Sequence, residues 1–165
     1  MPDKIKVIDC KQSDNEYLHK DFHGALCYAI KYLDDNFGEK ATEEYLIQVG
    51  KTYFKPLSEK LKREGLEALR SHWKNIFKKE QGEFNIYCEN DKLICEVKQC
   101  PAIAHLKKTG SFFTDRYCQT TVIVNKTICN DAGYQFTCEY KSGEGKCVQK
   151  VWIENFEQAT RCRKV

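Results

Sequence analysis

Cys100, Pro101, Ala102, Ile103, Ala104 and His105 make up the segment of this sequence richest in chemistry. Pro101 cannot donate to a strand ladder, so a strand is expected to end at Cys100. Proline also suits the first position of a helix, which would make Cys100 the N-cap. There its sulfur meets the positive end of the helix dipole, a placement that favours thiolate. His105 falls a little over one turn further on and can approach the thiol as a base. Thiol, helix end and base are the parts of an activated nucleophile. The plainer alternative is a capped loop with a surface histidine.

Two further positions could serve such a site. His23 precedes Gly24 inside a helical pattern, where glycine costs about 1 kcal/mol against alanine. Close approach of another backbone or of a ligand would explain that glycine; a solvated histidine at a helix start is the plainer alternative. Arg116, Tyr117, Thr120 and Thr121 give a later segment a polar side, and Arg116 could hold a carboxylate bidentately. His19 and His72 read as exposed helix residues.

The ten cysteines could instead bind metal. No Cys-x2-Cys knuckle is present, so the usual structural zinc pattern is missing. A site assembled from distant thiolates, Cys100, Cys118 and Cys147 with Cys138 or His105, stays open, with zinc as the candidate ion. Cys88, Cys95 and Cys138 fall on the apolar side of their strands, where a free cysteine packs as a small hydrophobe. Cys10, Cys27 and Cys162 suggest packing or exposure only, and Cys129 falls at a helix end.

The elements that must position these groups follow from periodicity. Phe22, Leu26, Ile30, Leu33 and Phe37 predict a helix over 15–37, ended by Gly38. Thr42 can cap a second helix carrying Tyr45, Leu46, Val49 and Tyr53. Pro56 suits the first turn of a third helix, and Gly65 breaks it. Leu66, Leu69, Trp73, Ile76 and Phe77 mark a fourth, stopped by Gly82. The period then changes to two. Phe84, Ile86 and Cys88, a turn at Glu89-Asn90-Asp91, and Leu93, Cys95 and Val97 predict a hairpin. Tyr134 to Tyr140, a turn over 141–145, and Cys147 to Ile153 predict a second. Between them a helix is expected over about 111–128. The order predicts one α+β domain spanning 1–165, with helices in 15–81 packed on an antiparallel sheet from 83–153.

Composition excludes several classes. At 165 residues, with 41% hydrophobic and 12% aromatic residues, the chain is neither disordered nor fibrous. A net charge of +3 is too small to imply nucleic acid. Nine Lys and Arg against four Glu over 51–80 read as solvated helix faces, because Trp73 and Phe77 fall on the apolar stripe and not beside the charges. No apolar run is long enough to span a membrane. With no apolar leader at the start, the expectation is a cytoplasmic protein with mostly reduced thiols, and the Asn125-Lys126-Thr127 sequon carries no weight. Tyr and Phe on several helix sides point to a possible homodimer.

The string Tyr17-Leu18-His19-Lys20-Asp21-Phe22-His23-Gly24-Ala25-Leu26, the segment Asp34-Asp35-Asn36-Phe37-Gly38-Glu39 and Cys100-Pro101-Ala102-Ile103-Ala104-His105 resemble the L-2-amino-thiazoline-4-carboxylic acid hydrolase family. The resemblance runs over about 15–153. The part containing Cys118 and the Cys138–Cys147 hairpin is similar to the small-molecule-binding domains named after 4-vinyl reductase, which can carry zinc on cysteines. The resemblance implies ring-opening hydrolysis of a cyclic isothiourea to an N-carbamoyl cysteine. It carries over Cys100 as nucleophile and His105 or His23 as acid/base. Arg116, Tyr117 and Thr120 are then the expected substrate-binding residues. A non-catalytic small-molecule-binding module is the alternative.

Overall fold

A computed structural model describes residues 20–154 of the chain. Four helices come first: α1 (Lys20–Phe37), α2 (Glu39–Thr52), α3 (Lys55–Glu64) and α4 (Leu66–Lys79). A hairpin follows, β1 (Glu83–Glu89) and β2 (Lys92–Gln99), then α5 (Pro101–Thr109) and α6 (Gln119–Asp131). A second hairpin, β3 (Gln135–Tyr140) and β4 (Cys147–Trp152), closes the described part. The fold is α+β, with one antiparallel sheet in the order β1-β2-β4-β3. Among the described residues no helix is long and apolar enough to cross a membrane.

The sheet is built from two local hairpins joined by one long-range pairing. Asn90 and Asp91 both take positive φ (49° and 59°), the backbone of a two-residue turn whose twist matches the flanking strands. β2 then pairs with β4, Cys95 opposite Gln149 and Leu93 opposite Val151. Alternation along the strands sends Leu93, Cys95, Val97, Phe136 and Val151 to the helix side. There they meet Leu61, Leu69, Trp73 and Ile128 in the main core. The other face carries polar pairs: Tyr87 Oη donates to Glu96 at 2.6 Å, and Lys150 Nζ lies 2.8 Å from Glu139.

A smaller cluster joins α1, α5 and the loop over 110–118: Cys27, Ala102, Ile103, Leu106 and Tyr117. Cys100 packs against both clusters and so stands at their seam.

Several expectations need correction. The helix expected over 111–128 begins at Gln119 and runs to Asp131, and a separate helix, α5, precedes it. Residues 111–118 are loop and turn because Gly110, in the left-handed region at φ 62°, ends α5 and its neighbours bury Phe112, Phe113 and Tyr117 from the loop. Thr42 does not cap α2. The helix starts at Glu39, and Thr42 is buried inside it, donating to Asp34 at 2.6 Å. Phe22, Phe37, Tyr45 and Tyr53 are exposed, so the α1 and α2 core faces run through Cys27, Ile30 and Leu46 instead. His72 is half-buried against Phe54, and burial lowers its pKa. Cys88 is disulfide-bonded, so it is not the free core filler expected, while the other seven described cysteines are free. His19, Cys10 and Cys162 lie outside the described residues.

Candidate functional site

Cys100 sits where the two expectations about its backbone meet. β2 ends at Gln99, Pro101 opens α5, and Cys100 is the N-cap in extended conformation (φ −70°, ψ 120°). Its own N–H donates to the Gly145 carbonyl at 2.7 Å, which ties the helix start to the β3–β4 turn. Gly145 suits glycine because its φ is +72°, a left-handed backbone that L side chains rarely adopt. The N–H groups of Ala102 and Ile103 pull the Cys100 pKa down without closing a capping bond. Burial pushes it up by more, and the charges of Cys147 and Glu80 push the same way. The net direction is upward. The helix end therefore does not deliver a resting thiolate, because desolvation outweighs it. His105 is not among the groups that shift the Cys100 thiol.

The polar partner network near Cys100 is different from the one expected. Tyr117 Oη lies 2.8 Å from His23 Nδ1. Burial, reinforced by the charges of Cys100, Cys27 and Glu80, drives the Tyr117 pKa well above its ordinary value. The hydroxyl keeps its proton. On the other side of the ring, His23 Nε2, a buried atom without a hydrogen-bond partner, faces Glu80 Oε2 at 3.7 Å. Glu80, at the C-cap of α4, thus joins His23 and Tyr117 beside the Cys100 seam. The close approach expected at the neighbouring Gly24 is not found: a Cβ there would meet only Leu106 Cδ2 at 4.0 Å, an ordinary contact.

Arg116 does something else. Its guanidinium ion-pairs with Asp34 through Nη1, donates to Gln119 Oε1 at 3.0 and 3.1 Å, and reaches the Glu39 carbonyl at 3.4 Å. The fork is committed to holding the loop before α6 onto α1 and α2. Thr120 Oγ1 donates to the Tyr117 carbonyl at 2.7 Å, inside the same turn.

Five thiols gather under the sheet's end: Cys95, Cys100, Cys118, Cys138 and Cys147 act on one another electrostatically. Burial raises Cys95 to about 12 and Cys118 to about 11. Cys138 and Cys147 act on each other, which with burial pushes Cys138 up and leaves Cys147 down. Gln149 Nε2 donates to Cys147 Sγ at 3.7 Å. Gln149 is held there by Asn125, which donates to its Oε1 at 2.8 Å. Among the described residues, no three of His, Cys, Asp or Glu are arranged to hold a metal ion. Cys100, Cys118 and Cys147 are neighbours, but they do not form a ready ligand set.

An open groove of about 860 Å³ runs between the start of α5 and the β2–β4 end of the sheet. Cys100, Ile103 and Cys147 line it, and Lys98, Lys107 and Lys146 stand among Glu83, Glu96, Glu139 and Glu144 around it. Of the residues singled out in the sequence, Cys100 and Cys147 face this groove. His23, His105, Arg116, Tyr117, Thr120 and Cys118 do not. Glu80 and the three lysines were missed. Nothing in the local sequence separates Lys107 or Lys146 from other surface lysines; only the approach of the β3–β4 turn to α5 brings them together.

Compared with protein-family models, with curated proteins and with solved structures, the chain matches none of them.

Proposed function

We propose that this chain is a cytoplasmic hydrolase that opens a small heterocyclic amino-acid derivative of the 2-aminothiazoline-4-carboxylate kind, belonging to the family its Cys100-Pro101-Ala102 and Asp21-Phe22-His23-Gly24 segments resemble. The observation that carries this reading is Cys100: a thiol at a helix N-terminus, open to a groove with lysines at its edge. A substrate carboxylate is held by Lys98, Lys107 or Lys146, not by Arg116. The Cys100 thiol rests protonated and gives its proton to solvent in the groove as its sulfur attacks the ring carbon between sulfur and nitrogen. The ring carbon–sulfur bond breaks, and the ring sulfur leaves as a thiol after taking a proton from solvent. Water then adds to the same carbon, the Cys100–carbon bond breaks, and an N-carbamoyl cysteine and the free Cys100 thiol are released. Tyr117 is buried, bonded to His23 and off the groove lining, so it holds α1 against the loop before α6 and does not reach the departing atom.

The test is turnover of L-2-aminothiazoline-4-carboxylate by the wild-type chain and by Cys100→Ser. A fall of several orders of magnitude in the variant supports the covalent route. Equal turnover in the two overturns it.

The upward shift of the Cys100 thiol favours one second reading, a binding module that holds the same class of molecule in the groove without reacting. Calorimetric binding to the wild-type chain with no turnover selects that reading. For assembly we propose a homodimer through the exposed rings of Phe22, Tyr28 and Tyr32 on α1. A light-scattering mass of one chain overturns it.

A further inference from the structure

The second hairpin brings two cysteines of neighbouring strands together at the mouth of the groove. In the β3–β4 register Cys138 is opposite Gln149 and Tyr140 is opposite Cys147, so the two cysteines are diagonal neighbours on one face. Diagonal partners on one face of an antiparallel pair are within side-chain reach. Both are free thiols. The surroundings make them unequal. Cys147 receives a donor, Gln149 Nε2 at 3.7 Å, and lines the groove, whereas Cys138 is not among the groove-lining residues. Gln149 is almost fully buried at 2% exposure and is itself fixed by Asn125. A buried amide fixed so as to donate to a sulfur is a costly arrangement for two cysteines that merely fill space.

We propose that Cys147 and Cys138 are a reactive dithiol that exchanges with small disulfides entering the groove, Cys147 as the attacking and Cys138 as the resolving thiol. Cys147 gives its proton to solvent in the groove, and its sulfur attacks one sulfur of a disulfide R–S–S–R. That S–S bond breaks and one R–S⁻ leaves, with the other R–S now bonded to Cys147. Cys138 then loses its proton, its sulfur attacks Cys147 Sγ, and the second R–S⁻ leaves. The two cysteines are oxidised to a Cys138–Cys147 disulfide, and the small disulfide is reduced to two thiols. The groove lining carries both signs, Lys98, Lys107 and Lys146 with Glu83, Glu96, Glu139 and Glu144, which suits a disulfide whose R groups carry both carboxylate and ammonium charges. The lattice of contacts around Cys138 and Cys147 exists whether or not Cys100 catalyses ring opening.

The experiment uses the full chain, reduced and desalted, then exposed to glutathione disulfide. Residual thiols are alkylated and the peptides mapped by mass spectrometry. The wild-type chain is expected to yield a peptide pair joined through Cys138 and Cys147. Cys138→Ser, which cannot resolve, is expected to hold one glutathione on Cys147. Cys147→Ser is expected to lose both products. Circular dichroism of each variant confirms that it is folded, and Cys138→Ala replaces Cys138→Ser if the serine variant is not. Absence of the Cys138–Cys147 link in the wild type overturns the proposal. So does glutathione spread evenly over Cys100, Cys118 and Cys147 in the Cys138 variant.

Discussion

Tyr117 Oη and His23 Nδ1 are 2.8 Å apart across 94 positions of sequence, and this bond, with the Arg116–Asp34 pair, joins α1 to the loop before α6. Tyr117 is buried at 6% exposure, so its hydroxyl has no water to fall back on. Removing it in Tyr117→Phe leaves His23 Nδ1 without its hydrogen-bond partner. The expected cost is about 1–3 kcal/mol of stability, the usual penalty for stranding a buried polar group. Tyr117 does not line the groove, so turnover is expected to be unchanged in a variant that is still folded at the assay temperature. Thermal melts measure the first effect and assays well below the melting point measure the second. An unchanged melting temperature overturns the structural role, and a large loss of turnover in a folded variant places Tyr117 in the reaction.

Arg116 gives a cleaner separation of structure from binding. Its pairing with Asp34 is nearly buried, with side-chain exposures of 14% and 18%. Asp34 also accepts from Thr42 at 2.6 Å, so one carboxylate serves two elements. Breaking one side of such a pair leaves a charge with little solvent and costs about 2–4 kcal/mol. Arg116→Ala and Asp34→Ala are each expected to destabilise, and the double variant to lose much less than their sum. Denaturant melts of the three variants measure the coupling. If Arg116 were the carboxylate clamp instead, Arg116→Ala would raise KM and leave stability alone.

Much of this arrangement was legible in the sequence, and the illegible parts share a cause. The change of period near residue 83, Pro101 after Cys100 and the Asn90-Asp91 turn are local signals, and local signals gave the helices, the hairpins and the N-cap. The start of α6 was not readable. Its N-cap, Cys118, makes no side-chain cap bond, and the β-branched run after it carries little helical preference. Phe112 and Phe113 pack partly buried, and Tyr117 buried, from a loop and not from a helix. The thiolate expectation for Cys100 counted the helix end and could not count the burial, which depends on how α5 meets both clusters. Glu80 and Gln149 belong to the same class. Each acquires its role from a partner on another element, and no spacing along the chain announces that.

Gly50 offers a test in which packing and propensity point opposite ways. It lies within α2, where alanine would gain about 1 kcal/mol in helix preference. A Cβ there would sit 2.7 Å from Thr127 Cβ and 2.8 Å from its Cγ2. Thr127 cannot retreat, since it is buried in α6 and its hydroxyl is bonded to the Ile123 carbonyl at 2.8 Å. The helices α2 and α6 must move apart instead. Gly50→Ala is expected to lower stability by about 1–3 kcal/mol, the range for overpacking, despite the better helix former. Thermal melts decide the sign, and a stabilised variant means that the two helices approach less closely than described.

The buried thiols set the alkaline limit of the fold. Burial holds Cys95 and Cys129 at about 12 and Cys118 at about 11, against an ordinary 9.0. A thiol is neutral when protonated, so a raised pKa means the folded chain binds protons that the unfolded chain has released. Their contribution is complete below pH 9 and is lost as pH rises from there through 11 to 12. For a fully buried thiol such as Cys129 the loss approaches about 1.4 kcal/mol for each pH unit in that window. Melting temperature is therefore expected to fall between pH 9 and 11. Tyrosines and lysines titrate in the same range, so the comparison that isolates the thiol is Cys129→Ala. That variant starts less stable, because a buried sulfur is gone, but its melting temperature should decline less steeply with pH. Parallel slopes for the two chains would mean that Cys129 does not carry the alkaline loss.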